Sequence, residues 1–497
     1  MAQQKSLKDL KRSDLFQQKG YIAEEWVEAA DGKTFNVYDP ATLDKLATIP
    51  EMGREDTDKA IKAAHEAFQS YKKTTARQRA RWLRKWSDLC LENAEDLALI
   101  LCLENGKTLT EAKGEVTYAA SFLEWFAGEA ERTHGETVPV ANLNQRILTF
   151  KQPLGVAACL APWNFPIAMI TRKCAAALAA GCTTVWNPAG ETPLSCLAQA
   201  VLAQEAGFPK GTINVITTLN GVSEVGKALC ESKLVRKLSF TGSTRVGQLL
   251  AAQCSHSLKK LSLELGGNSP FIVFDDAKLE TAVEAAILAK FRNSGQTCVT
   301  ANRVFVQEGI YDKFTQALSE KIKTLKVGPG TEEGVFVGPL THERAVEKAM
   351  NHITDAKKHG GQVILGGSPY KGDGKLKGYF LEPTIISGMS KEAITTSEET
   401  FAPVVALYKF KTEEEVIDLA NDCDVGLGSF LITESMPRMW RVAEALEVGM
   451  VGVNLGLLSA CESPFGGVKM SGYGREGGRQ GIDEYLSVKS MLINVAS

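Results

Sequence analysis

From residue 154 onward the chain alternates short apolar runs with helix-periodic stretches, and this rhythm confines it to a narrow set of folds. Residues 156–160, 183–186, 212–216 and 235–240 read as strands, and 170–180, 195–206 and 244–254 as helices. Such alternation predicts an α/β domain built on a mostly parallel sheet. Beyond a boundary near Gly267 a second series follows, with strands over 270–274, 303–307 and 404–410 and helices over 279–291, 311–325 and 341–359. Upstream, Ile61, Ala64 and Phe68, then Leu83, Trp86 and Leu89, recur at three- and four-residue steps, so residues 54–105 are expected to be helical. The Gly/Lys-rich stretch 366–378 reads as a surface loop. Residues 146–152 and 485–493 have strand character but stand apart from both series. They form either an arm that pairs between subunits or edge strands packed on their own domain.

A chain of 497 residues exceeds what one hydrophobic core organises, so two or more domains are expected. A net charge of -3 with both signs interspersed gives no basic stripe for nucleic acid. Eleven cysteines without framework spacing read as reduced thiols, mostly buried as small apolar side chains. No run approaches the roughly 20 apolar residues that span a bilayer, and the first twelve residues resemble neither a secretory signal nor a transit peptide. A cytoplasmic location is the expectation. The six histidines lack metal-ligand spacing, and no metal is assigned.

The chemistry-bearing residues stand in five short stretches. In Phe291-Arg-Asn-Ser-Gly-Gln-Thr-Cys298 a cysteine follows small and polar residues at the end of an apolar helix. A thiol there is open to solvent, and nearby backbone N–H groups are expected to lower its pKa; the plain alternative is a packing cysteine. In Lys260-Leu-Ser-Leu-Glu-Leu-Gly-Gly-Asn268 the carboxylate of Glu264 lies between leucines, which predicts partial desolvation, a raised pKa and service as a base. The plain alternative is an outward-facing strand residue. Pro162-Trp-Asn-Phe-Pro166 follows a strand and by itself reads as an aromatic turn. Phe240-Thr-Gly-Ser-Thr-Arg-Val-Gly247 joins a strand to a helix but lacks the G-x-G-x-x-G dinucleotide spacing. Glu398-Glu-Thr-Phe-Ala-Pro403 reads on its own as an acidic loop before a strand.

In this order, from about Tyr21 to Ile493, the stretches resemble the motifs of the aldehyde dehydrogenase superfamily. The resemblance implies two Rossmann-like α/β domains, one for the cofactor and one for catalysis, plus a small β oligomerisation arm. It implies a nucleotide-binding domain over 1–135 and 154–266, a catalytic domain over 267–479, and an arm over 136–153 and 480–497. It implies Cys298 as nucleophile, Glu264 as the base that hydrolyses a thioester, and Asn164 as a donor to the oxyanion. Pro162, Trp163, Gly242, Ser243, Gly247, Leu265, Glu399 and Phe401 are implied in NAD or NADP binding, with Lys173 near the nucleotide ribose and counted among the catalytic groups. Ala402 stands where the family usually has Gly, and Met470 where a polar residue is common. A homodimer or homotetramer acting on a small aldehyde, without nucleic acid or membrane, is the implied assembly.

Met169-Ile-Thr-Arg-Lys173, Lys290-Phe-Arg-Asn293 and Gly456-Leu-Leu-Ser459 narrow the resemblance to the succinate-semialdehyde dehydrogenases. There Arg172, Arg292 and Ser459 match the holders of the substrate's distant carboxylate, and Phe465 is placed at the substrate mouth. Guanidinium groups suit that task because they stay charged and bind carboxylates through two parallel bonds. The alternative is that both arginines form structural ion pairs. Thr300 occupies the position of a second cysteine found in some animal members, so a disulfide switch of that kind is absent. Gly190 stands where an acid commonly disfavours NADP, and Asn187 where a lysine commonly contacts the adenosine ribose. The first departure permits NADP; the second weakens both nucleotides. Other readings are an aldehyde dehydrogenase for glutarate semialdehyde or an apolar aldehyde, and a catalytically silent family member serving as a binding or structural protein.

Overall fold

The structure, a computed structural model, describes residues 5–372 and 374–496. Its first sheet has eight strands. The inner five run parallel in the spatial order Ile213–Val215, Thr183–Pro188, Val156–Ala161, Val235–Thr241, Lys260–Glu264. Val156–Ala161 and Thr183–Pro188 are buried along their whole length, which is why they read as unbroken apolar runs without alternation. Chain order reverses beside Val156–Ala161: the next two strands are laid to one side and the following two to the other. The carboxyl ends of Val156–Ala161 and Val235–Thr241 therefore diverge into a crevice, the place where open α/β sheets bind ligands.

Two helices start earlier than their periodicity suggests. Pro166–Ala180 and Pro193–Glu205 each begin on a proline, whose fixed φ and missing N–H suit the first turn of a helix. The expected helical stretch 54–105 is three helices, Arg54–Tyr71, Ala76–Glu92 and Ala94–Asn105. Thr75 breaks the first pair because its side chain caps the backbone N–H of Gln78, while Gln78 returns a bond to the Thr75 N–H. The long helix Leu109–Ala130 was not anticipated, although Thr108 and Glu111 form the same reciprocal cap at its start. It packs in the first core, where Trp86 stacks on Trp186 with ring centres 5.8 Å apart.

The second sheet has seven strands in the order Gln362–Leu365, Thr384–Ser387, Val404–Phe410, Ala301–Gln307, Ser269–Val273, Gly428–Ile432, Met450–Val453. All neighbours are parallel except the first pair. The strands Gln145–Pro153 and Leu486–Asn494 pair antiparallel over nine residues within one chain, forming with Thr137–Val138 a sheet of their own. They are not edges of either main sheet, and Val488, Met491 and Leu492 face solvent. One late segment departs from the expected boundaries. Gly472–Tyr473 lies within 267–479 yet adds an antiparallel edge to the first sheet, pairing with Leu263 and Glu264. Gly472 has φ +100°, and a Cβ there would sit 2.1 Å from the Leu263 carbonyl oxygen, so only glycine allows the approach. No helix among the described residues is long and apolar enough to cross a membrane.

Leu238 is fully buried in the central strand Val235–Thr241, in one core with Val225, Leu229 and Leu250. Leu238→Ala is expected to cost about 2–5 kcal/mol by leaving a cavity there. A denaturation midpoint equal to that of the unaltered chain would show that this sheet does not limit stability.

Candidate active site

The crevice gathers three of the five stretches. Pro162-Trp-Asn164 leaves the end of Val156–Ala161, Gly242-Ser243 leaves the end of Val235–Thr241, and Glu264 ends the adjacent strand. Strand register pairs Glu264 with Thr241, and the Gly242 N–H donates to the Glu264 carbonyl at 3.0 Å. The thiol loop arrives from the second sheet, between the helix Leu279–Phe291 and the strand Ala301–Gln307. A Cβ on Gly267 would lie 2.6 Å from the Cys298 carbonyl oxygen, so the bare backbone lets the loop sit against the end of the base strand.

The thiol loop is held in an unusual shape. Asn293, Ser294 and Gly295 have φ values of +49°, +55° and +77°, left-handed conformations that cost non-glycine residues roughly 1–3 kcal/mol each. A dense set of bonds offsets that cost. Glu111 accepts from the Asn293 N–H at 2.6 Å, the Asn293 side chain donates to the Asn164 carbonyl at 2.9 Å, and Ser294 donates to the Gly338 carbonyl at 2.9 Å. The Asn164 amide donates to the Gln296 carbonyl at 3.0 Å. One hydrogen of that amide remains for another acceptor. Beneath it the buried pair Lys107–Glu115, 2.5 Å apart, holds Asn164 from behind, with Lys107 donating to the Asn164 carbonyl at 2.8 Å.

Of eleven cysteines only Cys298 and Cys423 escape full burial. The expected depression of the Cys298 pKa is not found: burial pushes the thiol up to about 12, the neighbouring Glu264 carboxylate adds to the rise, and Arg172 opposes it. The preceding helix meets the loop by its C-terminal end, so it presents carbonyls and not the N–H groups that would lower the thiol.

Glu264 matches its expected environment. It is buried, with one carboxylate oxygen lacking any partner, and burial followed by the charge of Glu476 raises its pKa to about 8 against the opposing pull of Arg172. The other oxygen is bridged by Arg172. Arg172 also donates through Nε to Glu476 at 2.6 Å, while Lys173 pairs with the same Glu476 and with Thr241 at 2.5 Å. Burial alone would raise Glu476; Lys173 and Arg172 overcome it and hold that carboxylate at about 2. Two expectations are corrected here. Lys173 is fully enclosed, its ammonium held by Glu476 and Thr241 and not open to solvent. Arg172 is equally enclosed, stacked 4.2 Å over Phe465 and tied to the two carboxylates, with Nη1 unpartnered. Glu476, at the end of a stretch given no role from sequence, is the hub that orders both.

Arg292 and Ser459 do meet, in a cavity of about 880 Å³ also lined by Phe165, Tyr118 and Asn293. The Arg292 guanidinium lies 4.7 Å over the Phe165 ring. On the opposite side of the thiol loop, Ser243 caps the helix Thr244–Cys254, whose first turn carries no acid, leaving a positive helix end suited to a diphosphate. Gly247 closes against Leu265, where a Cβ would come within 2.4 Å. Glu399 approaches the same helix beside Gly266; burial raises its pKa to about 7 and one of its oxygens has no partner. Phe401, at φ +57°, meets Trp163 edge-on at 5.6 Å. Asn187 donates to the Ile216 carbonyl at 3.2 Å. Gly190 abuts Leu219, whose Cα would be 2.8 Å from any Cβ placed there. A positive helix end with no acid in its first turn, a Glu399 oxygen without a partner and an aromatic pair fit a dinucleotide.

Residues 26–491 match the aldehyde dehydrogenase family. The chain is 52% identical over 491 residues to succinate-semialdehyde dehydrogenase [NADP(+)] 1 of Schizosaccharomyces pombe, with 98% of each sequence covered. It is 50% identical to the glutarate-semialdehyde dehydrogenase of Pseudomonas putida, covering 98% of this chain and 100% of that one. The crystal structure of succinate-semialdehyde dehydrogenase from Burkholderia pseudomallei superposes with a TM-score of 0.96 at 50% identity, over 98% of this chain and 100% of that one.

Because the thiolate is the reactive form, a raised thiol pKa sets a measurable pH dependence. In the unliganded protein, alkylation of Cys298 by iodoacetamide is expected to accelerate about tenfold per pH unit between roughly pH 7 and pH 10. A rate independent of pH over that range, followed by peptide mass mapping, would contradict a thiol held protonated by its surroundings.

Proposed function

This chain belongs to the aldehyde dehydrogenase family, and on that premise we propose that it oxidises succinate semialdehyde to succinate with NAD(P). The observation that carries the substrate class is the cavity beside the thiol loop, which Arg292 and Ser459 both line. A guanidinium and a hydroxyl at the far end of a pocket hold a carboxylate while the aldehyde end reaches the sulfur. The cavity of about 880 Å³ also admits the next longer homologue, glutarate semialdehyde, the substrate named for the Pseudomonas putida relative.

The chemistry follows from the side chains. Cys298 gives up its proton at attack, with Glu264 the nearest base, and its sulfur adds to the aldehyde carbon. Negative charge growing on the aldehyde oxygen is met by the free hydrogen of the Asn164 amide and by the Cys298 backbone N–H; such donors gain strength as charge develops. The nicotinamide nucleotide, when bound, accepts the hydride. Glu264, having passed the thiol proton on to solvent, then takes a proton from water, which displaces the acyl group from Cys298 and releases the acid. Lys107 and Glu115 keep Asn164 in place throughout, and Glu476 holds Lys173 and shares Arg172 with Glu264. Intact Cys298, Glu264 and Asn164 in one crevice weigh against a catalytically silent protein.

For the nucleotide, Gly190 presents no carboxylate to repel a 2′-phosphate, and Leu219 leaves no room for one. Asn187 is neutral and bonded to Ile216, so no cation rewards the phosphate either. Neither form gains from these two positions, which supports use of both. The three-stranded arm, with Val488, Met491 and Leu492 exposed, is the surface proposed for joining copies of the chain into a homo-oligomer.

Initial rates test this reading. Succinate semialdehyde is expected to exceed butanal by at least about 100-fold in kcat/KM, the scale set by one or two charged hydrogen bonds, and the NAD and NADP values to agree within about tenfold. Equal use of butanal overturns the substrate claim. Glu264→Gln is expected to reduce about one nucleotide per site in a burst and then slow by about 10²–10⁴-fold, the usual contribution of a general base. In the unaltered enzyme the hydrolytic step is expected to rise with pH through a midpoint near 8, as burial-raised Glu264 loses its proton.

A further inference from the structure

The helix Leu109–Ala130 carries one group into the Arg292–Ser459 cavity that no motif announced. The ring of Tyr118 packs edge-on against Phe122, with centres 4.7 Å apart, which fixes the direction of the phenol. Its hydroxyl is buried beside the Ser459 hydroxyl and the Arg172 guanidinium, without a partner at full hydrogen-bond geometry. An unmet buried hydroxyl costs about 1–3 kcal/mol, and folded proteins keep few of them, so each one asks what completes it.

The neighbourhood answers by elimination. Burial, first, raises the phenol pKa, and the groups that act on it next are Arg172, Arg292 and Ser459. Both guanidiniums are donors without acceptor capacity, and Nη1 of Arg172 is itself unpartnered. Glu111 and Glu115 line the same cavity, but their oxygens are already taken. Glu111 serves the Asn293 N–H and Thr108, while Glu115 serves Lys107 and the N–H groups of Ile167 and Ala168. Apart from the Ser459 hydroxyl, which donates as well as accepts, the cluster holds donors and no free acceptor. A carboxylate is the small group that accepts from several donors at once and supplies the charge that Arg292, without an acidic partner among the described residues, asks for.

We propose that Tyr118 is a substrate-binding residue whose hydroxyl donates to the distant carboxylate of the aldehyde, beside Arg292 and Ser459. This rests on the carboxylated-aldehyde reading above and deepens it. A phenol that keeps its proton cannot accept, so it rewards a carboxylate and leaves a neutral alkyl end with an unpaired donor, which is how a polar site rejects an isostere.

The test compares the full enzyme with Tyr118→Phe, which keeps the ring against Phe122, using succinate semialdehyde and butanal with saturating nucleotide. The expected result is a fall of about tenfold in kcat/KM for succinate semialdehyde, mostly through KM, with butanal used better than by the unaltered enzyme and the melting temperature not lowered. A parallel loss with both aldehydes, or a lowered melting temperature with kcat reduced for both, would mark a packing role and overturn the proposal. So would an unchanged KM for succinate semialdehyde in an enzyme that otherwise prefers it. If the unaltered enzyme shows no preference for succinate semialdehyde, the carboxylated-aldehyde reading falls and the role of Tyr118 falls with it.

Discussion

The buried cluster of Arg172, Lys173, Glu264 and Glu476 is the interaction around which the crevice is arranged. Its members come from a helix, the end of an inner strand and a segment some two hundred residues later, and each satisfies the others where water does not reach. Removing one partner from such a group typically costs about 3–5 kcal/mol, because a charge is then left alone in the interior. The cluster also divides its protons unevenly. Glu476 has two cations and the Ser239 hydroxyl, and stays ionised; Glu264 shares one cation and keeps an empty oxygen, so its proton is held more tightly. A base with a raised pKa is thus obtained beside two positive side chains, an outcome that neither carboxyl environment produces alone.

The thiol is governed by shape more than by charge. Three successive left-handed residues turn the chain away from the helix axis and aim Cys298 at the crevice, and that turn is fastened by Glu111, Asn164, Gln296 and Gly338. Most of these fasteners lie in the first sheet's half of the molecule or in loops outside the second sheet. The reactive loop therefore belongs by sequence to one sheet and by restraint to the other, which makes its geometry sensitive to how the two halves meet.

The sequence made the parallel strands legible because fully buried strands are short, apolar and separated by regular helices. It was less informative at helix starts, where Pro166 and Pro193 look like breakers but serve as first-turn residues. The helix Leu109–Ala130 was overlooked although Thr108 and Glu111 announce its cap, and with it went Tyr118, Lys107 and Glu115. The motif residues themselves were readable, since Cys298, Glu264, Asn164 and Arg292 stand in short local patterns. What those residues touch was not. Arg172 and Lys173 sit next to each other in the chain, and nothing local says that both turn inward to Glu476, or that the helix before Cys298 offers carbonyls to the loop. Those facts depend on contacts across some three hundred positions, which periodicity and spacing do not encode.

The pairing of Gly472 with Glu264 has a consequence for the order of events during synthesis. Domains fold as they emerge, the amino-terminal one first. Here the strand ending in Glu264 gains its last neighbour, and Arg172 and Lys173 their shared anion, only when the segment around Gly472 and Glu476 has left the ribosome. The Glu264 carboxyl thus acquires its edge strand and its shared arginine's second anion from a segment some two hundred residues further along the chain, so the crevice is complete only when both sheets' sequences are present together.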